Sequence, residues 1–257
     1  MKYLWEEFDS IQQSLFSKKA KLFLLDFDGT LAPIASTPDA ARLDEEIKQI
    51  LTTLNQSPRH TLAIVSGRSL KELSSMVRLK NVIYAGNHGL EIKGLNLRLP
   101  PRARKARRLK GFIKLLAQKF KMAFGDYEGV LVEDKDFTLS LHFRKLMPEQ
   151  GLLFNELVGF FKEKYKKYPV IWVKGKKVWE VRPTLYWTKG DTVLYLLKKF
   201  PGVFPIVIGD DRSDEDMFTV IRRRGITIRV GRLRDSQAEY YLKSPRDVKV
   251  FLKKLCH

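Results

Sequence analysis

The sequence contains almost no cysteine and no long apolar run. Its single cysteine, Cys256, excludes a disulfide framework and a zinc site built from cysteines. A chain without disulfides fits a reducing compartment, so we expect a cytoplasmic protein. No apolar stretch reaches the roughly 18 residues of a membrane span. The N-terminal segment MKYLWEEFDSIQQSL has early acids and no uninterrupted apolar part, so we expect neither a signal peptide nor a membrane partner.

Acidic residues are scarce relative to basic ones. The chain has 48 Lys and Arg against 29 Asp and Glu, a formal net charge of +19. The densest basic stretch, at 100–120, has small or apolar residues every three or four positions, which predicts an amphipathic helix with a basic outer face. This face is either a solvated surface or a means of attracting an anionic substrate. No zinc-finger spacing, RNP-like pattern or Gly-x-x-Gly loop accompanies the charge, so we predict no nucleic acid partner.

Strand and helix patterns alternate at both ends of the chain, which is typical of βαβ units. The predicted strands are 21–25, 61–65, 82–85, 205–209 and 226–230. The predicted helices are 3–16, 43–55, 69–76, 189–199, 213–223 and one from about residue 245. The chain is 44% hydrophobic, enough for a buried core. We therefore predict an α/β fold, with a Rossmann-like parallel-sheet core and helices on both faces.

The middle of the chain follows a different pattern, two helix–hairpin units in succession. The predicted elements are a helix at 103–122, strands at 130–134 and 137–143, a helix at 148–167, and strands at 169–173 and 177–181. This order predicts an α+β module (αββαββ) with an antiparallel sheet. We assign 1–97 and 185–257 to a catalytic core and 98–184 to an inserted cap domain.

Four predicted core strands end in polar clusters. These clusters are Asp26-Phe27-Asp28-Gly29-Thr30, Ser66-Gly67-Arg68, Gly86-Asn87-His88-Gly89 and Gly209-Asp210-Asp211. Ligands bind at the carboxyl ends of the strands in open parallel sheets. We therefore expect the four clusters to meet at one edge and to form an active site.

Asp26 and Asp28 are two carboxylates at the end of a buried strand, where they repel each other. A hard divalent cation removes this cost, and Mg²⁺ prefers oxygen ligands. Asp210, at the end of another strand, is a natural third ligand. One carboxylate can then attack a phosphoryl group, while the other protonates the leaving alcohol and later activates water.

Two further positions suit a phosphate group. Backbone N–H groups after Ser66 and its hydroxyl fit a phosphate oxygen, although an ordinary helix N-cap is the alternative. Lys189 can neutralise the phosphoryl group and the nucleophile, unless it is a surface lysine. Near Asp210, we predict that Asp211 and Asp214 orient metal-bound waters or Lys189.

The motifs DFDGTL (26–31), Ser66, Lys189 and GDDRSDED (209–216) resemble those of the haloacid-dehalogenase-like phosphatase superfamily. The resemblance implies that Asp26 is the nucleophile, forming an aspartyl phosphate, and that Asp28 is the general acid and base. It implies that Mg²⁺ is held by the Asp26 side chain, the Asp28 backbone carbonyl and Asp210. The implied phosphate-binding residues are Thr30, Ser66, Gly67 and Lys189. The insertion before Lys189 lies where this superfamily has its larger α/β cap.

Within this superfamily, the chain resembles trehalose-6-phosphate phosphatases in particular, and this resemblance extends from about residue 21 to 230. The shared segments are SGR (66–68), GNHGLE (86–91), VEDK (132–135), SLHFR (140–144) and EVRP (180–183). It implies that cap residues Glu133, Lys135 and Glu180 bind the distal glucose. It also implies that Arg68, Asn87 and His88 lie near the sugar on the core side. For Glu133 and Lys135, a cross-strand surface pair is the alternative.

We therefore predict Mg²⁺-dependent hydrolysis of trehalose 6-phosphate in trehalose biosynthesis. The predicted enzyme is a monomer that acts on a phosphosugar supplied by a trehalose-6-phosphate synthase. Two alternatives stay open. One is a related phosphatase of sucrose phosphate, mannosyl-phosphoglycerate or a hexose phosphate. The other is a basic nucleic-acid-binding protein with an inert core.

Overall fold

A computed structural model describes residues 1–34, 41–135, 137–175, 177–184 and 187–256. It divides into two compact units. The first, here called the core, comprises Met1–Arg98 and Thr188–His257, and the second, here called the insert, comprises Leu99–Trp187. The predicted cap, 98–184, differs from the insert by one residue at its start and three at its end.

The described residues form the following elements. The strands are β1 (Lys2–Tyr3), β2 (Lys21–Leu25), β3 (His60–Val65), β4 (Ile83–Gly86), β5 (Glu91–Lys93), β6 (Leu131–Asp134), β7 (Leu139–His142), β8 (Val170–Gly175), β9 (Val178–Pro183), β10 (Phe204–Gly209), β11 (Ile226–Val230) and β12 (Tyr240–Leu242). The α-helices are α1 (Phe8–Phe16), α2 (Glu45–Gln56), α3 (Leu70–Val77), α4 (Pro101–Arg107), α5 (Lys110–Phe124), α6 (Gly151–Lys164), α7 (Lys189–Lys199), α8 (Glu215–Ile221) and α9 (Pro245–Lys254).

The core is built on an eight-stranded sheet in the order β1-β12-β11-β10-β2-β3-β4-β5. Its strands pair in parallel except β5, which runs antiparallel to β4. Side chains alternate along β2, so Phe23 and Leu25 pack with α1, α2, α3 and α9, while Leu22 and Leu24 pack with α7 and α8. Both faces of the sheet are therefore covered, which confirms the predicted Rossmann-like α/β core.

Polar residues at the helix starts explain where several core helices begin. Asp44 accepts a hydrogen bond from the Glu46 N–H at the start of α2. Ser69 with Glu72, at α3, and Thr188 with Asp191, at α7, form reciprocal capping boxes. Because β10, β2, β3 and β4 are adjacent and parallel, their carboxyl ends lie at the same edge of the sheet.

The insert is a four-stranded antiparallel sheet in the order β6-β7-β9-β8, packed against α5 and α6. Its interior is rich in aromatic rings, and Phe120 and Phe161 meet edge to face with centroids 4.7 Å apart. This is the predicted αββαββ arrangement, with one difference. The predicted helix at 103–122 is two helices, because α4 ends at Arg107 and α5 begins at Lys110.

The N-terminal segment differs from the predicted helix at 3–16. Lys2 and Tyr3 form β1 and pair with Tyr240 and Tyr241 of β12, before a short 3-10 helix and α1. This pairing joins segments that are far apart in the sequence, so no local periodicity reveals it. In the described part of the chain, no helix combines the length and the apolar composition that crossing a membrane requires.

Candidate active site

Asp26 lies directly after β2 and is 4% exposed. Its backbone N–H donates to the Ile208 carbonyl of β10 at 2.9 Å, which fixes it at the carboxyl edge of the sheet. The chain then turns at Gly29, where φ is +78°. A Cβ at Gly29 would lie 2.1 Å from Asp210 Oδ2, so only glycine permits this approach of the two strand ends.

Lys189 links two buried carboxylates at the start of α7. Its Nζ lies 2.7 Å from Asp26 Oδ1 and 2.7 Å from Asp214 Oδ1. Asp214 is fully buried, and its other oxygen accepts the N–H groups of Asp210 and Asp211, each at 2.9 Å. Lys189 is only 3% exposed. The surface-lysine alternative is therefore wrong, and Asp214 holds Lys189 in place.

The pKa values of this cluster follow from its burial. Burial raises the pKa of Asp26 well above its usual range, and the Asp214 and Asp210 carboxylates add to this against the opposing effect of Lys189. Burial, with Asp214 and Asp211, raises the pKa of Asp210 to about 6. Burial alone would lower the pKa of Lys189, but Asp26 and Asp214 outweigh it and raise that pKa, so the ammonium stays charged.

The acidic groups fit a hard divalent cation. One oxygen from each of Asp26, Asp210 and Asp214 lies within 4.8 Å of the others. Asp210 Oδ1 is buried and has no hydrogen-bond partner among the described residues, so a cation bound to it would satisfy a buried polar atom. Asp214 is already bonded to Lys189 and to two N–H groups. Asp26 and Asp210 are thus the side chains suited to ligate Mg²⁺, whose preference is for oxygen.

Asp28 forms an ion pair with Arg68. Arg68 Nε donates to Asp28 Oδ2 at 2.6 Å and a terminal nitrogen donates to Oδ1 at 2.6 Å. The guanidinium carbon also lies 5.6 Å from the Phe27 ring centroid, which is within cation–π range. Arg68 thus contacts Asp28, the predicted general acid and base. Its predicted contact with the sugar stays a prediction.

Thr30, Ser66 and Gly67 bring small polar groups to the same edge. Thr30 is fully buried, and its hydroxyl has no hydrogen-bond partner within the described ranges. Ser66 is 1% exposed, and its Oγ accepts the Arg68 N–H at 3.1 Å. Ser69, not Ser66, caps α3. The N-cap alternative for Ser66 is therefore wrong, and its hydroxyl is positioned within the strand-end cluster.

Asn87 and His88 belong to a loop that is bonded to the Ser66 loop. Both have left-handed backbone conformations, with φ of 48° and 59°. The Asn87 N–H donates to the Arg68 carbonyl at 2.7 Å, and the His88 N–H donates to the Ser66 carbonyl at 2.9 Å. The His88 ring lies against Gly67, since a Cβ there would be 3.0 Å from His88 Cε1.

Glu91 is a supporting residue that sequence reasoning missed. Its Oε2 accepts the Asn87 amide at 2.9 Å and the Leu70 N–H of α3 at 3.0 Å. It therefore fixes the Asn87 side chain against the first turn of α3. The only signal in the sequence was its place in the shared segment GNHGLE, and the pairing of two loops gives it this role.

Glu133, Lys135 and Glu180 lie together on the insert sheet. Glu133 pairs across the strands with Ser140, and Ser140 pairs with Glu180, so the two acids lie in one row across three strands. Lys135 Nζ lies 3.3 Å from Glu133 Oε2. This ion pair joins Glu133 of β6 to the residue that directly follows the same strand, so it is not the cross-strand pair named as the alternative to a sugar contact.

Two partners on this sheet were not predicted as site residues. His142 Nε2 lies 2.9 Å from Glu133 Oε2, and Arg182 forms an ion pair with Glu180. Burial acts to raise the pKa of Glu133, but the His142 hydrogen bond and Lys135 outweigh it and hold that pKa below its usual range. The row is thus a set of charged, mutually oriented groups able to bond several hydroxyls.

Comparisons with known proteins identify one family. The trehalose-phosphatase family matches residues 24–246. Trehalose 6-phosphate phosphatase RA3 of Zea mays is 35% identical over 98% of this chain and 73% of its own length. Trehalose-phosphate phosphatase B of Arabidopsis thaliana is 34% identical over 96% of this chain and 69% of its own length. The solved Aspergillus fumigatus trehalose-6-phosphate phosphatase is 26% identical with a TM-score of 0.71, covering 96% of both chains.

Proposed function

The chain belongs to the trehalose-phosphatase family and is a phosphatase, and from this premise we propose that it hydrolyses trehalose 6-phosphate with Mg²⁺ as cofactor. One observation carries the proposal. Asp26, a buried carboxylate held at 2.7 Å by Lys189, lies beside an Asp210 oxygen without a hydrogen-bond partner among the described residues. A nucleophile and a ligand oxygen for a cation at one strand edge suit phosphoryl transfer.

Asp26 is the proposed nucleophile. Its oxygen forms a bond to phosphorus while the bond from phosphorus to the sugar oxygen breaks, and Asp28 gives that oxygen a proton. Water then cleaves the aspartyl phosphate, giving its proton to Asp28 and releasing phosphate. When bound by Asp26, Asp210 and the Asp28 carbonyl, Mg²⁺ supplies positive charge that offsets the carboxylates and the phosphoryl oxygens.

The remaining core residues bind the transferred group. The Thr30 and Ser66 hydroxyls and the Gly67 N–H donate to phosphoryl oxygens in this proposal. Lys189 balances the charge of Asp26 and of the phosphate that replaces it. Thr30, Ser66 and Lys189 are buried, which strengthens their electrostatic interactions because little water is present to screen them.

The insert is the proposed cap, and its Glu133, Lys135 and Glu180 bind the distal glucose. Asn87 and His88 are proposed to contact the sugar on the core side, and Asp211 to orient metal-bound water. Asp211 is exposed, next to the 3-10 helix that ends at Asp214. A cytoplasmic monomer that receives its substrate from a trehalose-6-phosphate synthase remains part of the proposal.

The test is phosphate release from a panel of esters with and without MgCl₂. The panel contains trehalose 6-phosphate, sucrose phosphate, mannosyl-phosphoglycerate and a hexose phosphate. We expect kcat/KM for trehalose 6-phosphate to exceed the others by at least about 100-fold, since unmatched polar groups in a hydroxyl-binding site are costly. Activity should disappear with EDTA and return with Mg²⁺. Faster turnover of another ester would overturn the substrate, and full activity in EDTA would overturn the cofactor.

A further inference from the structure

The ion pair between Arg68 and Asp28 holds the carboxylate at two points. Both contacts are 2.6 Å and both carboxylate oxygens are engaged. Such a fork fixes the plane and the direction of a carboxylate, not only its location. The Asp28 side chain is 38% exposed, and an exposed aspartate without a fixed partner samples several rotamers. Arg68 therefore removes a freedom that Asp28 would otherwise have.

Arg68 is itself held firmly. Its side chain is only 10% exposed and lies over Phe27. Its N–H donates to Ser66 Oγ at 3.1 Å, and its carbonyl accepts the Asn87 N–H at 2.7 Å. A group that orients another must be fixed by its own surroundings, and contacts to two neighbouring strand ends meet this condition.

We propose that Arg68 is a positioning residue: it holds the Asp28 side chain in the orientation from which its protonated carboxyl group gives a proton to the leaving sugar oxygen and its carboxylate then accepts one from the attacking water. The inference rests on the proposed function, in which Asp28 is the general acid and base. Two other roles predict different results. If Arg68 contacted the sugar directly, its loss would weaken substrate binding and raise KM. If Arg68 held Asp28 in an inactive orientation, the ion pair would slow the wild-type enzyme and its loss would raise kcat.

The experiment measures kcat and KM for trehalose 6-phosphate in the wild type, Arg68→Gln, Arg68→Lys, Asp28→Asn and the double variant Asp28→Asn/Arg68→Gln. We expect Arg68→Gln to lower kcat by about 100-fold, with KM changed by less than about threefold. Arg68→Lys should lose activity as well, because one ammonium cannot replace the two-point fork. In the Asp28→Asn background, Arg68→Gln should change kcat by less than about threefold.

A second readout uses p-nitrophenyl phosphate in a single turnover. Its leaving group has a pKa of about 7 and departs without a proton, so Arg68→Gln should leave the burst of p-nitrophenol within about threefold of wild type. Arg222→Gln is the matched control. Arg222 bonds to Gln237 at the end of α8 remote from Asp210, and this change should leave both readouts unaffected.

Each contrary result has a distinct meaning. A higher kcat in Arg68→Gln would indicate that Arg68 holds Asp28 in an inactive orientation. A higher KM with unchanged kcat, and an effect that adds to that of Asp28→Asn in the double variant, would indicate a sugar contact. Either result overturns the inference. Full kcat in Asp28→Asn would overturn it too. If the wild type prefers another ester, the proposed substrate is wrong. The same set of single and double variants, measured on that ester, then tests the role of Arg68 separately. Thermal melts show which variants fold, and Arg68→Lys replaces Arg68→Gln if the latter does not.

Discussion

Charge balance at single residues explains why the strand edge tolerates several buried carboxylates. Lys189 satisfies Asp26 and Asp214 at once, with both contacts at 2.7 Å. Removing the Lys189 ammonium would leave two uncompensated buried carboxylates, whereas neutralising Asp26 leaves the Lys189–Asp214 pair intact. The raised pKa of Asp26 shows that its charge is costly in the folded protein. The residue that the reaction needs is therefore one that stability does not need.

The Asp26→Asn variant should therefore lose activity without losing stability. We expect phosphate release to fall by at least about 1,000-fold, because an amide cannot form the aspartyl phosphate. The melting temperature should stay the same or rise, since a neutral side chain replaces a buried charge. The exposed Asp235, changed to Asn, is the control and should keep both properties. Wild-type phosphate release by Asp26→Asn would refute the nucleophile assignment.

The pKa of Asp210, raised to about 6, predicts a pH-dependent effect of Mg²⁺. In the metal-free protein the proton on Asp210 favours the folded state at low pH, and this contribution is lost as the pH rises through about 6. Mg²⁺ must displace that proton to bind. We therefore expect saturating MgCl₂ to raise the melting temperature by about 5 °C near pH 8 and by much less near pH 5.

The Asp210→Asn variant supplies the comparison for this measurement. It should melt higher than metal-free wild type near pH 8 and gain little from MgCl₂ at either pH. A Mg²⁺ shift of the same size at both pH values, or an undiminished shift in Asp210→Asn, would argue against Asp210 as a ligand.

At the scale of elements, the sequence predicts what local patterns determine. The strands β2, β3, β4, β10 and β11 follow from apolar runs with turn residues after them, and their order explains why Asp26, Ser66 and Asp210 meet. Strands β1, β5 and β12 have two or three residues each, and only pairing with distant partners defines them. The Arg68–Asp28 and Glu91–Leu70 contacts were missed for the same reason, because each depends on which loops meet.

The turn after β2 gives a prediction with a close control. Gly29 has φ +78°, and the Cβ that Gly29→Ala adds would lie only 2.1 Å from Asp210 Oδ2. Gly231 has nearly the same φ, +79°, but a Cβ added to it would meet no atom within 4 Å from the described residues beyond its two chain neighbours. Both substitutions should cost about 1–2 kcal/mol of folding free energy from the left-handed conformation.

Only Gly29→Ala should also displace Asp210. We expect its turnover to fall by at least about tenfold and its Mg²⁺-induced rise in melting temperature to vanish, while Gly231→Ala keeps both. Urea unfolding and phosphate release measure the two effects separately. Equal activity in the two variants would show that the contact with Asp210 does not matter for the site.

At the scale of the whole molecule, the residues proposed for the reaction and those proposed for sugar recognition lie in units with separate hydrophobic cores. Asp26, Lys189 and Asp210 belong to the core, and Glu133 and Glu180 belong to the insert. The insert also carries 20 Lys and Arg against 9 Asp and Glu, so its acidic pair lies in a strongly basic setting. Such a division implies that substrate preference can change while the phosphoryl chemistry persists.

This division predicts the effect of Glu133→Ala and Glu180→Ala. Each should lower kcat/KM for trehalose 6-phosphate by about 10- to 100-fold, the value of a charged hydrogen bond to a sugar hydroxyl. Turnover of p-nitrophenyl phosphate, which has no sugar to bind, should stay within about threefold. Glu156→Ala is the control, because Glu156 is an exposed acid on α6, the helix layer of the same insert. Equal losses on both substrates would mean that these residues support the fold rather than read the disaccharide, since a folding defect lowers every activity alike.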